Sequence, residues 1–262
     1  MHKVIQISIW AIVLVGTIIA LGFVNKQQQM LVVQKPIINI DYETENRFID
    51  EEDVLSQIIN QEDSLPLIMN SINVNELEKK INNNSSIKSA EVYTTIDGKL
   101  VVDVQQRRPI VRIFSGNSSY YIDEFGNLMP TSDKYTSRLL VVNGFLNEPH
   151  AKRYKFNYAN ISDTLKSKTL LDDIYLLSKF IDESSFWKAQ IEQVYVNKDL
   201  EFELIPKVGN HKIVFGGVQN LKGKFEKLMI FYRKGLSKTG WNEYSTIDLK
   251  YKNQVVCTKM YN

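Results

Sequence analysis

Ala90-Glu91-Val92-Tyr93-Thr94, then Asp97-Gly98, then Leu100-Val101-Val102-Asp103-Val104-Gln105 is the stretch that decides the architecture. Both flanking runs are rich in β-branched and apolar residues, and the Asp-Gly pair suits a tight turn that needs positive φ. They predict a β-hairpin. Upstream, Asn75-Glu76-Leu77-Glu78 has capping-box spacing ahead of Ile81 and predicts a helix. That helix stops in Asn82-Asn83-Asn84-Ser85-Ser86, whose side chains compete for backbone hydrogen bonds. Further back, Asp50-Glu51-Glu52-Asp53 precedes the apolar pairs Val54-Leu55 and Ile58-Ile59, one turn apart. Acids there complement the positive end of a helix dipole, a better account of the cluster than a metal or partner site. Ile37-Ile38-Asn39-Ile40-Asp41, after Lys35-Pro36, reads as a first strand. From Pro36 the order is β-α-α-β-β.

Before that domain lies Val4 to Val24, a run without a charged residue. As a helix it is about 30 Å long, the thickness of the hydrocarbon layer of a bilayer. A spanning helix or a removed signal peptide explains such a segment, and Ala20 with Gly22 forms a small-x-small pair of the kind a signal peptidase cuts. The run is longer than the ~7–15 apolar residues of a signal peptide, which favours an uncleaved anchor in the lipid bilayer. Lys3 on one flank faces Lys26 and Lys35 on the other, so charge alone leaves the orientation undecided.

Downstream, Gln105-Gln106-Arg107-Arg108-Pro109 ends the first domain, because Pro109 cannot donate to a central ladder. The arginine pair reads as a solvated strand end. A strand-rich region follows, with strands expected at Ile110–Phe114, Tyr120–Asp123, Leu139–Val142, Ile191–Val196, Leu200–Leu204, Lys212–Gly216 and Ile247–Tyr251. Val255-Val256-Cys257 is expected to continue the last of these past Asn253-Gln254, so the chain ends on a strand. Two helices interrupt the region. One carries Leu170, Ile174, Leu177 and Ile181 behind a capping box at Thr169 and Asp172. The other sets Leu221, Phe225, Leu228, Tyr232 and Leu236 opposite Lys222, Lys224, Lys227, Arg233 and Lys234, a lysine face read as solvated. The fold class is α+β, with a mixed β-sheet domain after the β-α-α-β-β domain.

Composition narrows the chemistry. Over 262 residues a net charge of +2 with 24% charged residues gives no basic surface for nucleic acid. The single cysteine, Cys257, excludes an intramolecular disulfide. His2, His150 and His211 stand singly, away from metal-ligand spacing, so neither a metal nor a cofactor is expected. Glu201 and Glu203 on one strand face would sit roughly 7 Å apart, a separation an inverting glycosidase uses. Yet Leu200, Phe202 and Leu204 need the other face for a core, which makes the glutamates solvent-side residues. No catalytic residue and no small-molecule substrate is assigned. The C-terminal strand is different, because a strand paired on one side offers N–H and C=O groups to another protein.

The chain resembles the FtsQ/DivIB bacterial division proteins. The likeness is carried by Ile87-Lys88-Ser89-Ala90-Glu91-Val92, by Leu100-Val101-Val102-Asp103-Val104 running into Arg108-Pro109, by Tyr120-Tyr121-Ile122-Asp123 with Gly126, and by Ile247-Asp248-Leu249-Lys250-Tyr251. The resemblance implies a cytoplasmic tail over residues 1–3, a single span over 4–24, a linker over 25–35, a POTRA-like domain over 36–106 and a β domain over 107–262. It implies a non-enzymatic scaffold of septum formation in the inner membrane, with its domains in the periplasm. Its partner is an FtsB/FtsL-type pair, captured by strand addition along Lys250, Tyr251 and the continuing edge Asn253, Gln254, Val255 and Val256. Tyr251 offers a large amphipathic contact and Lys250 a charge for an acidic partner. Two other readings compete: a membrane-anchored cell-wall glycan hydrolase using Glu201 and Glu203, and a POTRA-bearing transport or secretion component.

Overall fold

The structure, a computed structural model, describes residues 9–20, 32–33, 35–59, 67–68, 72–146 and 169–260. The described residues form two compact units, one holding those up to Glu43 with Ile49–Gln106, the other Thr44–Phe48 with those from Arg107 on.

Residues 9–20 form α1, whose side chains are all exposed, Trp10 by 73%. The expected span from Val4 to Val24 runs beyond them at both ends, and Val4 and Val24 themselves lie outside the described residues. Among the described residues no helix is long and apolar enough to cross a membrane.

In the first unit β1 (Val32–Val33) and β3 (Leu67–Ile68) make a short antiparallel ladder that no sequence pattern announced. The main sheet has the order β2-β5-β4: β2 (Ile37–Asp41) runs parallel to β5 (Leu100–Gln106), and β4 (Ile87–Thr94) runs antiparallel to it. The expected hairpin is β4–β5. Its turn closes by Gly98 N donating to Thr95 O (3.0 Å), with Gly98 at φ +78°.

Helix α2 (Glu51–Ile58) starts at Asp50, and the two reciprocal 3.0 Å bonds between Asp50 and Asp53 complete a capping box. Helix α3 (Val74–Asn82) starts two residues earlier than its expected capping box. Asn73 is the cap, accepting from Glu76 N, and Glu78 reaches across to accept from Val92 N on β4 instead. Val54, Ile58 and Ile81 on the two helices pack with Ile87, Val92, Leu100, Val102 and Val104 on the sheet to form the core.

The second unit is a nine-stranded sheet in the order β14-β13-β12-β11-β10-β9-β6-β7-β8. Its strands are β6 (Pro109–Ser115), β7 (Ser118–Asp123), β8 (Leu128–Met129), β9 (Leu140–Gly144), β10 (Ile191–Val196), β11 (Phe202–Pro206), β12 (Lys212–Gly216), β13 (Tyr244–Asp248) and β14 (Val256–Lys259). Pro109 does head an interior strand, at the first position, where a missing N–H is tolerated. Parallel neighbours require crossovers. Between β9 and β10 lie α4 (Leu170–Asp182) and the unforeseen α5 (Ser185–Gln190). Between β12 and β13 lies α6 (Leu221–Phe231), which continues through a π-turn at Tyr232–Leu236 into α7 (Ser237–Thr239). Both apolar stripes face the core: Ile174, Leu177, Ile181, Phe225, Leu228, Tyr232 and Leu236 are buried.

Three expectations need correcting here. The arginine pair is not a solvated strand end. Arg107 meets the buried Asp123 at 2.8 Å, and Arg108 meets Glu124 and Asp182, both at 2.9 Å. Leu200 is not in a strand; it sits at φ +60° in a turn pinned by Asn197, so β11 begins only at Phe202 and leaves Glu201 outside it. The C-terminal region is not one continuous strand. The chain reverses between β13 and β14, which pair antiparallel as Ile247↔Cys257 and Asp248↔Val256.

Candidate partner-binding edge

Strand β14 is the last strand of the nine-stranded sheet, with β13 on its inner side and no strand on its outer side among the described residues. Its inner side is fastened by the ladder and by Met260 N donating to Glu243 O (2.9 Å). The outer row of N–H and C=O groups is what strand addition uses. Val256, Thr258 and Lys259 are exposed on β14, and Cys257 is partly buried, its thiol pKa pushed up by that burial.

Of the residues expected to form this edge, only Val256 lies on β14. Lys250, Tyr251, Asn253, Gln254 and Val255 occupy the loop between β13 and β14. The reason is local. Leu249 is fully buried and donates from its N–H to Val214 O (2.9 Å), Lys250 N bonds back to Asp248 Oδ1 (2.8 Å), and Asn253 turns at φ +59°. An Asx-type bond and an asparagine in the left-handed region turn the chain. Tyr251, 50% exposed, therefore stands beside the edge rather than on it.

Helix α6 supports this corner from below. Lys224 Nζ donates to Phe215 O (2.9 Å) and Gly217 O (2.7 Å) at the end of β12, and Lys227 Nζ donates to Leu249 O (2.9 Å), Tyr251 O (2.7 Å) and Gln254 O (3.4 Å) in the loop. The lysine face expected to be solvated is thus, at these two positions, a pair of carbonyl clamps. Burial pulls the Lys224 pKa down, and the charge of Lys227 adds to that. No periodicity separates a lysine that meets carbonyls from one that meets water, so the sequence carried no signal for either.

Between α6 and the loop opens a cleft of about 520 Å³, lined by Gly217, Gly223, Lys224, Lys227, Lys250 and Lys252 among others and by no carboxylate among the described residues. Gly216, at φ +74°, leaves room for the Lys250 stem, whose Cγ and Cδ lie 3.0 Å from where a Cβ would stand. Lys250 Nζ reaches Glu201 Oε2 at 2.8 Å, and that hydrogen bond raises the lysine pKa. Glu203 pairs with Lys212 at 3.1 Å. Each glutamate of the hydrolase reading is therefore held by its own lysine.

His211 is buried, its ring nitrogens 3.4 Å from Trp241 O and 3.3 Å from Tyr232 Oη, while His2 and His150 lie outside the described residues. Among the described residues no group of three or more His, Cys, Asp or Glu side chains could hold a metal ion.

Comparison with known proteins adds the family. Residues 32–105 match the model of a POTRA-like domain, and residues 108–258 match the model described as FtsQ/DivIB, C-terminal related. No curated protein matches the chain. The second match covers more than half of the sequence, including the edge strand and its loop, so the chain belongs to the FtsQ/DivIB, C-terminal related family, with the role in cell division that the family carries.

Proposed function

We propose that this protein is a non-enzymatic, single-pass membrane scaffold of the bacterial division machinery. The uncharged run from Val4 to Val24 anchors it in the inner membrane, the N-terminus is cytoplasmic, and both folded units work in the periplasm. An FtsB/FtsL-type partner adds a strand to β14, while an acidic side chain of that partner approaches Lys250 and the cleft beside Tyr251.

The observation that carries the reading is the open outer side of β14 next to a lysine-lined cleft without a carboxylate. Main-chain pairing supplies affinity in such a complex, and the adjoining pockets supply specificity. Tyr251 is the anchor of the contact, half exposed and amphipathic. The test is a binding titration of the full chain against the extracytoplasmic segment of the FtsB-type protein of the same organism. Tyr251→Asp weakens capture without unfolding the domain, whereas unchanged affinity removes the reading. Imaging a fluorescent fusion separates it from the transport reading, because a division scaffold concentrates in a midcell band.

A further inference from the structure

We infer that Lys227 is a positioning residue for partner capture: from α6 it sets the shape of the 249–255 loop and, through it, the placement of Tyr251 and the start of β14. The inference rests on the edge-binding reading above and assigns a role to a residue that lies beneath the binding surface.

The other ties of the loop lie at its start: Leu249 is buried and bonded to Val214, Lys250 N bonds to Asp248 Oδ1 and Lys250 Nζ to Glu201, but Lys250 through Gln254 are all exposed, and Asn253 is held at φ +59°. Fixing such a segment has a conformational cost at each residue. Beyond the bonds of Lys250, that cost is opposed by one ammonium group that reaches the rest of the loop. A lysine has three N–H donors and no acceptor. Lys227 aims them at the carbonyls of Leu249, Tyr251 and Gln254, at 2.9, 2.7 and 3.4 Å, gathering both ends and the middle of the loop at one point. It behaves as a tethered cation collecting backbone oxygens.

Lys224, three residues earlier on the helix, holds the end of β12 in the same way. The two clamps differ in what they govern. Lys224 secures the sheet, while Lys227 secures the segment that carries Tyr251. A loop that adopts its binding shape only part of the time lowers apparent affinity by that fraction. Losing the clamp therefore weakens capture even though Lys227 is not itself the contact.

The experiment uses the full chain in detergent, with the FtsB-type extracytoplasmic segment as probe, and compares Lys227→Met, Lys227→Arg and Tyr251→Asp with the unaltered protein. Lys227→Met keeps the apolar stem and removes the donors. Expected are faster hydrogen exchange confined to the 250–256 segment in the free protein, unchanged exchange across β10 to β12, and affinity lower by about tenfold through a slower association rate. Lys227→Arg keeps the charge in a planar fork and falls between the two. Unchanged exchange in Lys227→Met overturns the inference. So does unchanged affinity in Lys227→Met while Tyr251→Asp binds weakly. If Tyr251→Asp also binds normally, the edge reading itself fails and the inference with it.

Discussion

Lys250 Nζ lies 2.8 Å from Glu201 Oε2, so the lysine expected to meet an acidic partner is already engaged by an acid of its own chain. The two side chains are 43% and 33% exposed, which keeps the pair's contribution to stability within ~0–1 kcal/mol. In the proposed complex, Glu201 would compete with the partner for Lys250. Glu201→Gln is expected to raise affinity for the acidic partner about two- to fivefold with little change in stability. A titration at low and high salt checks it, since the gain shrinks as screening rises.

The same pair bears on the hydrolase reading. Glu201 and Glu203 are each neutralised by a lysine, at 2.8 and 3.1 Å. A chain carrying both Glu201→Gln and Glu203→Gln is expected to support division in a strain depleted of the unaltered protein. Loss of complementation, with the protein present and folded, restores the glycan-hydrolase reading.

Asp123 is a structural acid of the second unit. It is fully buried; Oδ1 accepts from Phe125 N (2.9 Å) and Asn127 N (2.7 Å), and Oδ2 from Asn127 Nδ2 and Arg107 Nη1, both 2.8 Å. Asp123→Ala leaves Arg107, two backbone amides and the Asn127 side-chain amide without their acceptor and is expected to lower stability by about 3–5 kcal/mol. Urea denaturation followed by tryptophan fluorescence measures it, because Trp187 and Trp241 report on the second unit.

His211 is expected to make the second unit sensitive to acid. Burial holds its pKa below the usual 6.5, with the Trp241 carbonyl opposing that shift. The folded state therefore favours the neutral ring, and the unfolded chain takes up the proton first as pH falls. The contribution of His211 to stability is full above 6.5, declines as pH drops below it, and levels off once the folded form is protonated too. His211→Gln is expected to reduce the loss of urea midpoint between pH 7 and pH 5. An unchanged loss assigns the acid sensitivity to other groups.

At the start of α2, Asp50→Ala removes one half of a reciprocal cap and is expected to cost about 0.5–2 kcal/mol. Asp50→Asn, which still accepts a bond from Asp53 N, is expected to cost less. Thermal melts of the two variants rank them.

The sequence was most legible where a signal is local. Asp97-Gly98 fixed the β4–β5 hairpin, the acids at 50–53 marked α2, and the stripes of α4 and α6 face the core as their periods require. It misled where a distant partner decides. Asn75 and Glu78 had cap spacing, but Asn73 took the cap because Glu78 is drawn to Val92 N on β4. Arg107 and Arg108 looked solvated because Asp123, Glu124 and Asp182 come from other elements. The same holds at the candidate site. Alternation from Ile247 to Tyr251 announced a strand, but the strand there, β13, is interior, paired with both β12 and β14, and the edge falls to β14 instead. The reversal at Leu249 to Val255 is turned locally by the Asp248 bond to Lys250 N and by Asn253 at φ +59°, and its carbonyls are gathered by Lys227 from another helix, a contribution that no local pattern marks.

The central claim is that β14 receives a partner strand along its open side, and backbone hydrogen exchange of the full chain with and without the FtsB-type segment tests it most directly. The account predicts that amides in Val256–Lys259 become protected on binding, with further slowing in the loop around Tyr251. Protection that appears elsewhere while β14 continues to exchange as in the free protein would contradict it.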